Sequence, residues 1–214
     1  MIFERLEYLF GEIGLEKLSK ARVAVVGLGG VGGIATISLA RSGVGNILIC
    51  DYDIVEETNI NRQMVATFSS LGMFKTDVLE KMILDINPNC KVTKITDKFS
   101  KELLDNVDYV IDAVDDIKAK KTLITTCLDK NIIFISSMGA AKKINPEKIS
   151  VTKLSKTTYD PIAKILRNSF RGIDFSVVSS VEEVKIDKLG SYMPVVATFG
   201  LLLSDYIIKE IIRR

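Results

Sequence analysis

Hydrophobic and polar positions alternate along this chain in two rhythms. Short aliphatic runs, Val23–Val26, Asn46–Cys50, Val107–Ala113 and Asn131–Ser137, are apolar on both sides of a period-two repeat and predict buried strands. Between them, Ile34–Ser42, Leu71–Ile86 and Lys118–Lys130 space apolar residues for one face of a helix. Lys91–Lys98 alternates as a further strand after the turn Asn87-Pro88-Asn89. The chain opens on a helical segment, Phe3–Ser19, with Leu6, Leu9 and Phe10 on one side, Glu4, Arg5 and Glu7 on the other, and an interruption at Gly11 and Gly14.

Strands alternating with helices at this spacing predict an α/β fold: a Rossmann-like, doubly wound, mostly parallel sheet. Beyond Gly139 the pattern changes. Ile149–Leu154 and Phe175–Val181 read as strands of a mixed or antiparallel C-terminal extension, Ser155–Arg171 between them is basic and partly helical, and Pro194–Arg213 closes the chain as a helix. No repeat or long linker divides residues 1–214, so one domain is expected, with a first half at 1–140 and an extension at 141–214.

The first strand runs into Gly27-Leu28-Gly29-Gly30-Val31-Gly32. Gly27 permits a tight turn, Gly29 and Gly30 let backbone N–H groups approach a ligand, and Gly32 lets the following helix pack near the strand. The N–H groups opening that helix favour an anion. Asp51, at the end of the next strand, is placed to accept from a ribose hydroxyl. Close strand–helix packing can also demand such glycines, so the loop alone leaves the ligand open.

Composition narrows the chemistry. The 214 residues carry a formal charge of +2, so any polyanion site must be local. There is no histidine, which excludes imidazole catalysis. Cys50, Cys90 and Cys127 are widely spaced without a Cys-x-x-Cys pair, which suits a reducing, cytoplasmic compartment and speaks against structural zinc. The N-terminus lacks a signal-peptide pattern, and the apolar stretch Met193–Leu203 is interrupted by Asp205 and Lys209, so a soluble protein without a membrane anchor is expected.

Polar residues collect where strands end: Asp51 and Asp53, then Asn59, Asn61, Arg62 and Gln63 in the following loop, Lys75 in the first turn of the next helix, and Asp115 after Val107–Ala113. A nicotinamide dinucleotide would use the glycine turn and Asp51 but has no use for Arg62, Lys75 and Asp115 together. A nucleoside triphosphate does, since two cations neutralise its phosphates and a carboxylate holds the accompanying magnesium. Taken singly, each has an ordinary reading: Arg62 in a surface ion pair, Lys75 solvated, Asp115 capping a helix.

These motifs, with Thr58-Asn59-Ile60-Asn61-Arg62-Gln63, Gly72-x-x-Lys75, Ile86-Asn87-Pro88 and Asp112-x-x-Asp115, resemble the ubiquitin-activating-type adenylation family over most of the first 140 residues. The resemblance implies a single adenylation domain whose first half binds ATP and Mg²⁺ and whose extension faces the acyl substrate. It further implies that Gly27, Gly29, Gly30 and Gly32 line the cleft, Asp51 and Asp53 lie at the ribose, and Asn59, Asn61, Arg62, Gln63 and Lys75 surround the phosphates. Asp115 would bind Mg²⁺, and Arg5 would reach into the partner's site in a homodimer. Position 116 is aspartate where the sulfur-carrier activators have asparagine.

The extension departs from those activators, having neither zinc-binding cysteine pairs nor a cysteine after Cys127 for thioester chemistry. Lys156-Thr157-Thr158-Tyr159-Asp160-Pro161 with Arg167 and Arg171, and Val177–Glu183, are instead similar to the tRNA threonylcarbamoyladenosine dehydratase branch. That implies a modified tRNA as substrate, a carboxylate activated with ATP and closed to a hydantoin, and an RNA-binding stripe of Lys153, Lys156, Lys164, Arg167 and Arg171. A sulfurtransferase partner is a further possibility. Two alternatives stay open: activation of a sulfur-carrier C-terminus, and, in a different class, an NAD-binding dehydrogenase or nucleotide-sensing protein.

Overall fold

The computed structural model describes residues 2–184 and 187–214, and these build one sheet from β1 (Arg22–Val26), β2 (Asn46–Cys50), β3 (Lys91–Ile95), β4 (Tyr109–Asp112), β5 (Ile133–Ser137), β6 (Ile149–Lys153) and β7 (Ser176–Ser180). The order across it is β3-β2-β1-β4-β5-β7-β6. Every neighbouring pair is parallel except β6 with β7. The expected α/β class, parallel core and antiparallel extension are therefore all present.

Helices cover both faces, which is why the central strands are apolar at consecutive positions. Val23, Val25, Ile47, Ile49, Ile111, Ile135 and Val178 point into a core shared with α2 (Gly30–Arg41), α3 (Lys75–Ile86) and α6 (Met193–Arg213). Ala24, Val26, Val110, Phe134 and Val177 point the other way, against α4 (Ile117–Asp129) and α5 (Pro161–Ser169). Each fully buried aliphatic side chain contributes about 1.5–3 kcal/mol. The strand β3 sits at an edge and is half polar, whereas the four residues of β4, inside the sheet, are all buried.

Several boundaries differ from the sequence reading, and three of the helical differences bear on the site or the surface. Helix α2 starts at Gly30 rather than Ile34, because the glycines themselves form its first turn. Helix α3 starts at Lys75 rather than Leu71: Gly72 N–H donates to the Val55 carbonyl and Val55 N–H to the Met73 carbonyl, so the segment before Lys75 is pulled into an extended pairing. In α1 (Glu4–Lys20), only Gly11 breaks the helix, at φ +69°, while Gly14 is helical and buried. Leu9, expected beside Leu6 and Phe10, is 74% exposed, as are Tyr8 at 75% and Ile13 at 70%.

The strand order reverses direction at β1. The chain goes from β1 to β2 on one side, yet β4 pairs on the other, so the carboxyl ends of β1 and β4 border the crevice where doubly wound sheets bind ligands. Among the described residues, no helix is long and apolar enough to cross a membrane.

Candidate active site

The turn after β1 is shaped by contact with β4. Gly27 has φ +86°, and a Cβ there would lie 2.6 Å from the Ala113 carbonyl oxygen; a Cβ on Gly32 would lie 1.8 Å from the Gly27 carbonyl. The two turns at the switch point therefore touch. Gly29 caps α2 without a side chain, which leaves the first-turn N–H groups uncapped and directed at the crevice, the arrangement that receives an anion. A Cβ on Gly29 would meet nothing nearer than Gln63 Nε2 at 3.9 Å, so this side of the turn is open.

Asp51, at the end of β2, is buried and reaches the same turn. Its Oδ2 accepts the Leu28 N–H at 2.5 Å and its Oδ1 the Asp53 N–H at 2.8 Å. Each oxygen keeps a lone pair for a further donor. Asp53 in turn holds Lys75: the ammonium lies 2.7 Å from Asp53 Oδ2, and the Lys75 N–H donates to the Asp53 carbonyl. The Lys75 side chain is 6% exposed and that of Asp53 49%. Lys75 is thus not the solvated cation its position in a first turn would suggest; it is a buried charge whose partner among the described residues, Asp53, is half exposed.

The loop after β2 closes over α2. The Arg62 carbonyl lies 2.9 Å from where a Gly30 Cβ would stand. The Arg62 guanidinium donates to the Thr58 carbonyl and, at 3.0 Å, to Asn61 Oδ1, while Asn61 Nδ2 donates to the Ser191 carbonyl at 3.1 Å. Asn59 is buried and its Oδ1 accepts the Glu56 N–H, so this side chain shapes the loop. Gln63 is buried beside Gly29, and its Oε1 has no hydrogen-bond partner among the described residues. An unpaired buried amide against uncapped helix N–H groups fits a site completed by a ligand.

Asp115 is exposed in the turn between β4 and α4. The helix cap is its neighbour: Asp116 Oδ1 accepts the Ala119 N–H at 2.7 Å, which leaves Asp115 out of that role. Tyr52 shows that the carboxylates share one neighbourhood, since Asp53 first, then burial, Asp115, Asp51 and Asp116, all push its phenol above 10.0. The Lys98 ammonium lies 5.8 Å from the Tyr52 ring centroid. No three potential ligand side chains cluster among the described residues. A lone carboxylate beside a phosphate cradle suits Mg²⁺, which is held by one or two carboxylates together with substrate phosphates.

Of the residues singled out in the sequence, the structure gathers Gly27, Gly29, Gly30, Gly32, Asp51, Asp53, Gln63, Lys75, Asp115 and the backbone of Arg62 around this switch point, whereas the Arg62 side chain bonds Thr58 and Asn61, Asn59 bonds Glu56, and Asn61 bonds Ser191. Arg5 lies apart from them, exposed on α1. Lys153, Lys156, Lys164 and Arg171 are exposed on β6, α5 and their flanks, whereas Arg167 is half-buried and donates to the Thr157 carbonyl and hydroxyl. The three cysteines are free and buried; burial pushes Cys50 up to about 12, Cys90 up to about 11, and Cys127 higher still, so none is a ready nucleophile.

Two polar groups escaped the sequence reading. Lys120 is wholly buried with Asp112 and Ser136, and buried Lys143 lies between Asp160 and Glu182. Both lysines look like solvent-facing positions in a polar stretch. The one signal in the chain was the aspartate ending the apolar run Val110-Ile111-Asp112.

Comparison with known proteins shows the family. The chain is 45% identical over 174 residues to a tRNA threonylcarbamoyladenosine dehydratase of Bacillus subtilis, a match covering 79% of this chain and 68% of that protein. It superposes on the Escherichia coli tRNA N6-threonylcarbamoyladenosine dehydratase in complex with ATP with a TM-score of 0.93 and 34% identity, covering 99% of this chain and 93% of that one. The AMP complex of the same protein matches with the same TM-score, over 99% and 94%. The ThiF family matches residues 4–213. By that match and by its similarity to these relatives, the chain belongs to the ThiF family.

Proposed function

We propose that this protein uses ATP to adenylate a substrate carboxylate, and that the carboxylate belongs to the threonylcarbamoyl group of a modified tRNA, which it closes to the cyclic hydantoin. The observation that carries the reading is the buried Lys75 ammonium, tethered to half-exposed Asp53 at the rim of an uncapped helix N-terminus. A redox dinucleotide gives such a cation no task. A triphosphate does.

In this reading the α2 N–H groups, Arg62 and Lys75 hold the phosphates, the unpaired Gln63 Oε1 accepts from a nucleotide donor, and Asp51 accepts from the ribose. Asp115 holds Mg²⁺, which when bound neutralises charge on the phosphate oxygens. A carboxylate oxygen of the substrate attacks the α-phosphorus in line and pyrophosphate leaves. The neighbouring carbamoyl nitrogen then attacks the activated carbonyl, losing its proton and expelling AMP. The second step is intramolecular, so it needs positioning more than a protein nucleophile. That suits a chain without histidine and with only buried thiols.

Residues 1–140 thus form the nucleotide half of one adenylation domain and 141–214 its substrate side. The exposed Lys153, Lys156, Lys164 and Arg171 form the RNA stripe, with Arg167 anchoring Thr157 beneath it. A homodimer is part of the proposal: Tyr8, Leu9 and Ile13 expose apolar surface on the helix that carries Arg5, the kind of patch a partner covers. Three free, buried thiols suit the reducing cytoplasm.

Incubation with ATP, Mg²⁺ and threonylcarbamoyladenosine-bearing tRNA is expected to release AMP and pyrophosphate in step with loss of water from the modified nucleoside. ADP and phosphate, or no turnover, would overturn the assignment. Turnover that requires a carrier ending in Gly-Gly instead of tRNA would move it to the sulfur-carrier activators.

A further inference from the structure

Beneath the turn that carries Asp115 lies a group of charges with no exposure at all. Asp112, Lys120 and Ser136 are each 0% exposed. The Lys120 ammonium lies 2.8 Å from Asp112 Oδ2 and 3.2 Å from Ser136 Oγ, and the Ser136 hydroxyl donates to the same Oδ2 at 2.5 Å. The other oxygen, Oδ1, accepts the Val114 N–H at 3.1 Å. Three elements meet there: the end of β4, the first turns of α4 and the end of β5.

A buried ion pair is a poor means of stabilising a fold, because an apolar pair of similar volume does as well or better. What it provides is a carboxylate fixed in orientation. Here one face of that carboxylate is held from below by Lys120 and Ser136, and the other grips the backbone one residue before Asp115. Lys120 also ties the start of α4 to the end of β4, so the turn between them is pinned from the strand and from the helix. The Ala113 N–H, bonded to the Val26 carbonyl, pins the same turn against β1.

We infer that Lys120, acting through Asp112 and with Ser136, is a positioning residue that sets the Asp115 carboxylate at the distance a divalent cation requires. The inference rests on the reading of Asp115 as the Mg²⁺ ligand. Magnesium takes oxygens at about 2.0–2.1 Å in near-ideal octahedral geometry, so a small displacement of Asp115 weakens the metal without disturbing the nucleotide cradle on the other side of the crevice.

The test titrates Mn²⁺, read by electron paramagnetic resonance, into the full chain saturated with a non-hydrolysable ATP analogue, beside the affinity for the analogue without metal. Lys120→Met is expected to weaken Mn²⁺ by about 10–100-fold, with metal-free nucleotide affinity unchanged. Ser136→Ala, which deletes one bond and keeps the ion pair, should weaken Mn²⁺ in the same direction by less. Should Lys120→Met fail to fold, the double variant Asp112→Leu with Lys120→Met removes both charges and carries the same expectation. If Asp115→Ala weakens Mn²⁺ but these variants bind it as the unaltered protein does, the positioning role is overturned and the metal assignment stands. If Asp115→Ala itself leaves Mn²⁺ affinity intact, the metal assignment fails first, and this inference with it.

Discussion

Replacing Lys75 by Met separates its two duties. The variant keeps the buried stem and removes only the charge, so the packing of that stem is conserved. The ion pair with Asp53, at 2.7 Å, has a gross attraction of about 6 kcal/mol at an effective dielectric of about 20. Little of this is taken from stability, because Asp53 is half exposed and rehydrates once its partner is gone; the net cost to folding is about 1 kcal/mol. At the transition state no water replaces the ammonium. There the loss is about 3 kcal/mol or more, which is about a hundredfold or more in rate. Pyrophosphate exchange or AMP release measures the rate, and urea denaturation measures the stability. Asp53→Asn is the companion: it keeps the cation but loosens its tether, and is expected to raise KM for ATP more than it lowers kcat. The reasoning fails if Lys75→Met turns over within about threefold of the unaltered protein, a loss of well under 1 kcal/mol.

Arg62→Ala should likewise lower adenylation by about a hundredfold or more with a near-unchanged Tm, since among the described residues its guanidinium bonds only Thr58 and Asn61, both exposed; a large drop in Tm would show a structural role instead. Burial alone would push the Glu182 carboxyl up, but N–H groups of Asn145 and Ile144, the Asn145 amide and the Lys143 ammonium hold it below its ordinary 4.5. Its stabilising contribution is therefore complete above 4.5 and lost as pH falls through the lower folded value, so Glu182→Gln should flatten the acid limb of the urea midpoint against pH; parallel curves would refute this. Changing Lys156, Lys164 and Arg171 to Glu should weaken tRNA binding and reduce its salt dependence by about 0.7–0.9 in log–log slope for each phosphate no longer neutralised, with ATP affinity intact. Equal tRNA affinity would take the stripe off the RNA surface.

The sheet was legible because its strands are buried on both faces. Val23–Val26 and Val110–Ile111 have no polar position for a different structure to exploit, so their place in a parallel core follows from pattern alone. Helix starts were less legible, because local propensity argued against the outcome. Glycines disfavour a helix by about 1 kcal/mol each, yet Gly30 and Gly32 open α2, since any side chain at either position would collide with the Arg62 or Gly27 carbonyl. Tertiary contact decided there. The same holds at Leu71–Phe74, whose apolar residues fit a helix until Val55 claims their backbone.

The site divides by legibility. Asp51, Arg62, Lys75 and Asp115 could be found because they follow strand ends, lie in the loop after β2 or open a helix, and their order along the chain resembles a family. Lys120 could not, because its spacing from Asp112 is not a helical period: the two meet only when α4 folds back over the ends of β4 and β5. The charges proposed to meet the ligand follow a motif. Asp112 and Lys120, beneath them, act on the backbone, and their pairing is set by topology. The switch point joins the two sets, for Asp112 closes β4 with one oxygen on Lys120 and the other on Val114, one residue short of Asp115. Chemistry at the surface of this sheet therefore depends on an ion pair inside it, and a substitution that never touches ATP is expected to be felt first by the metal.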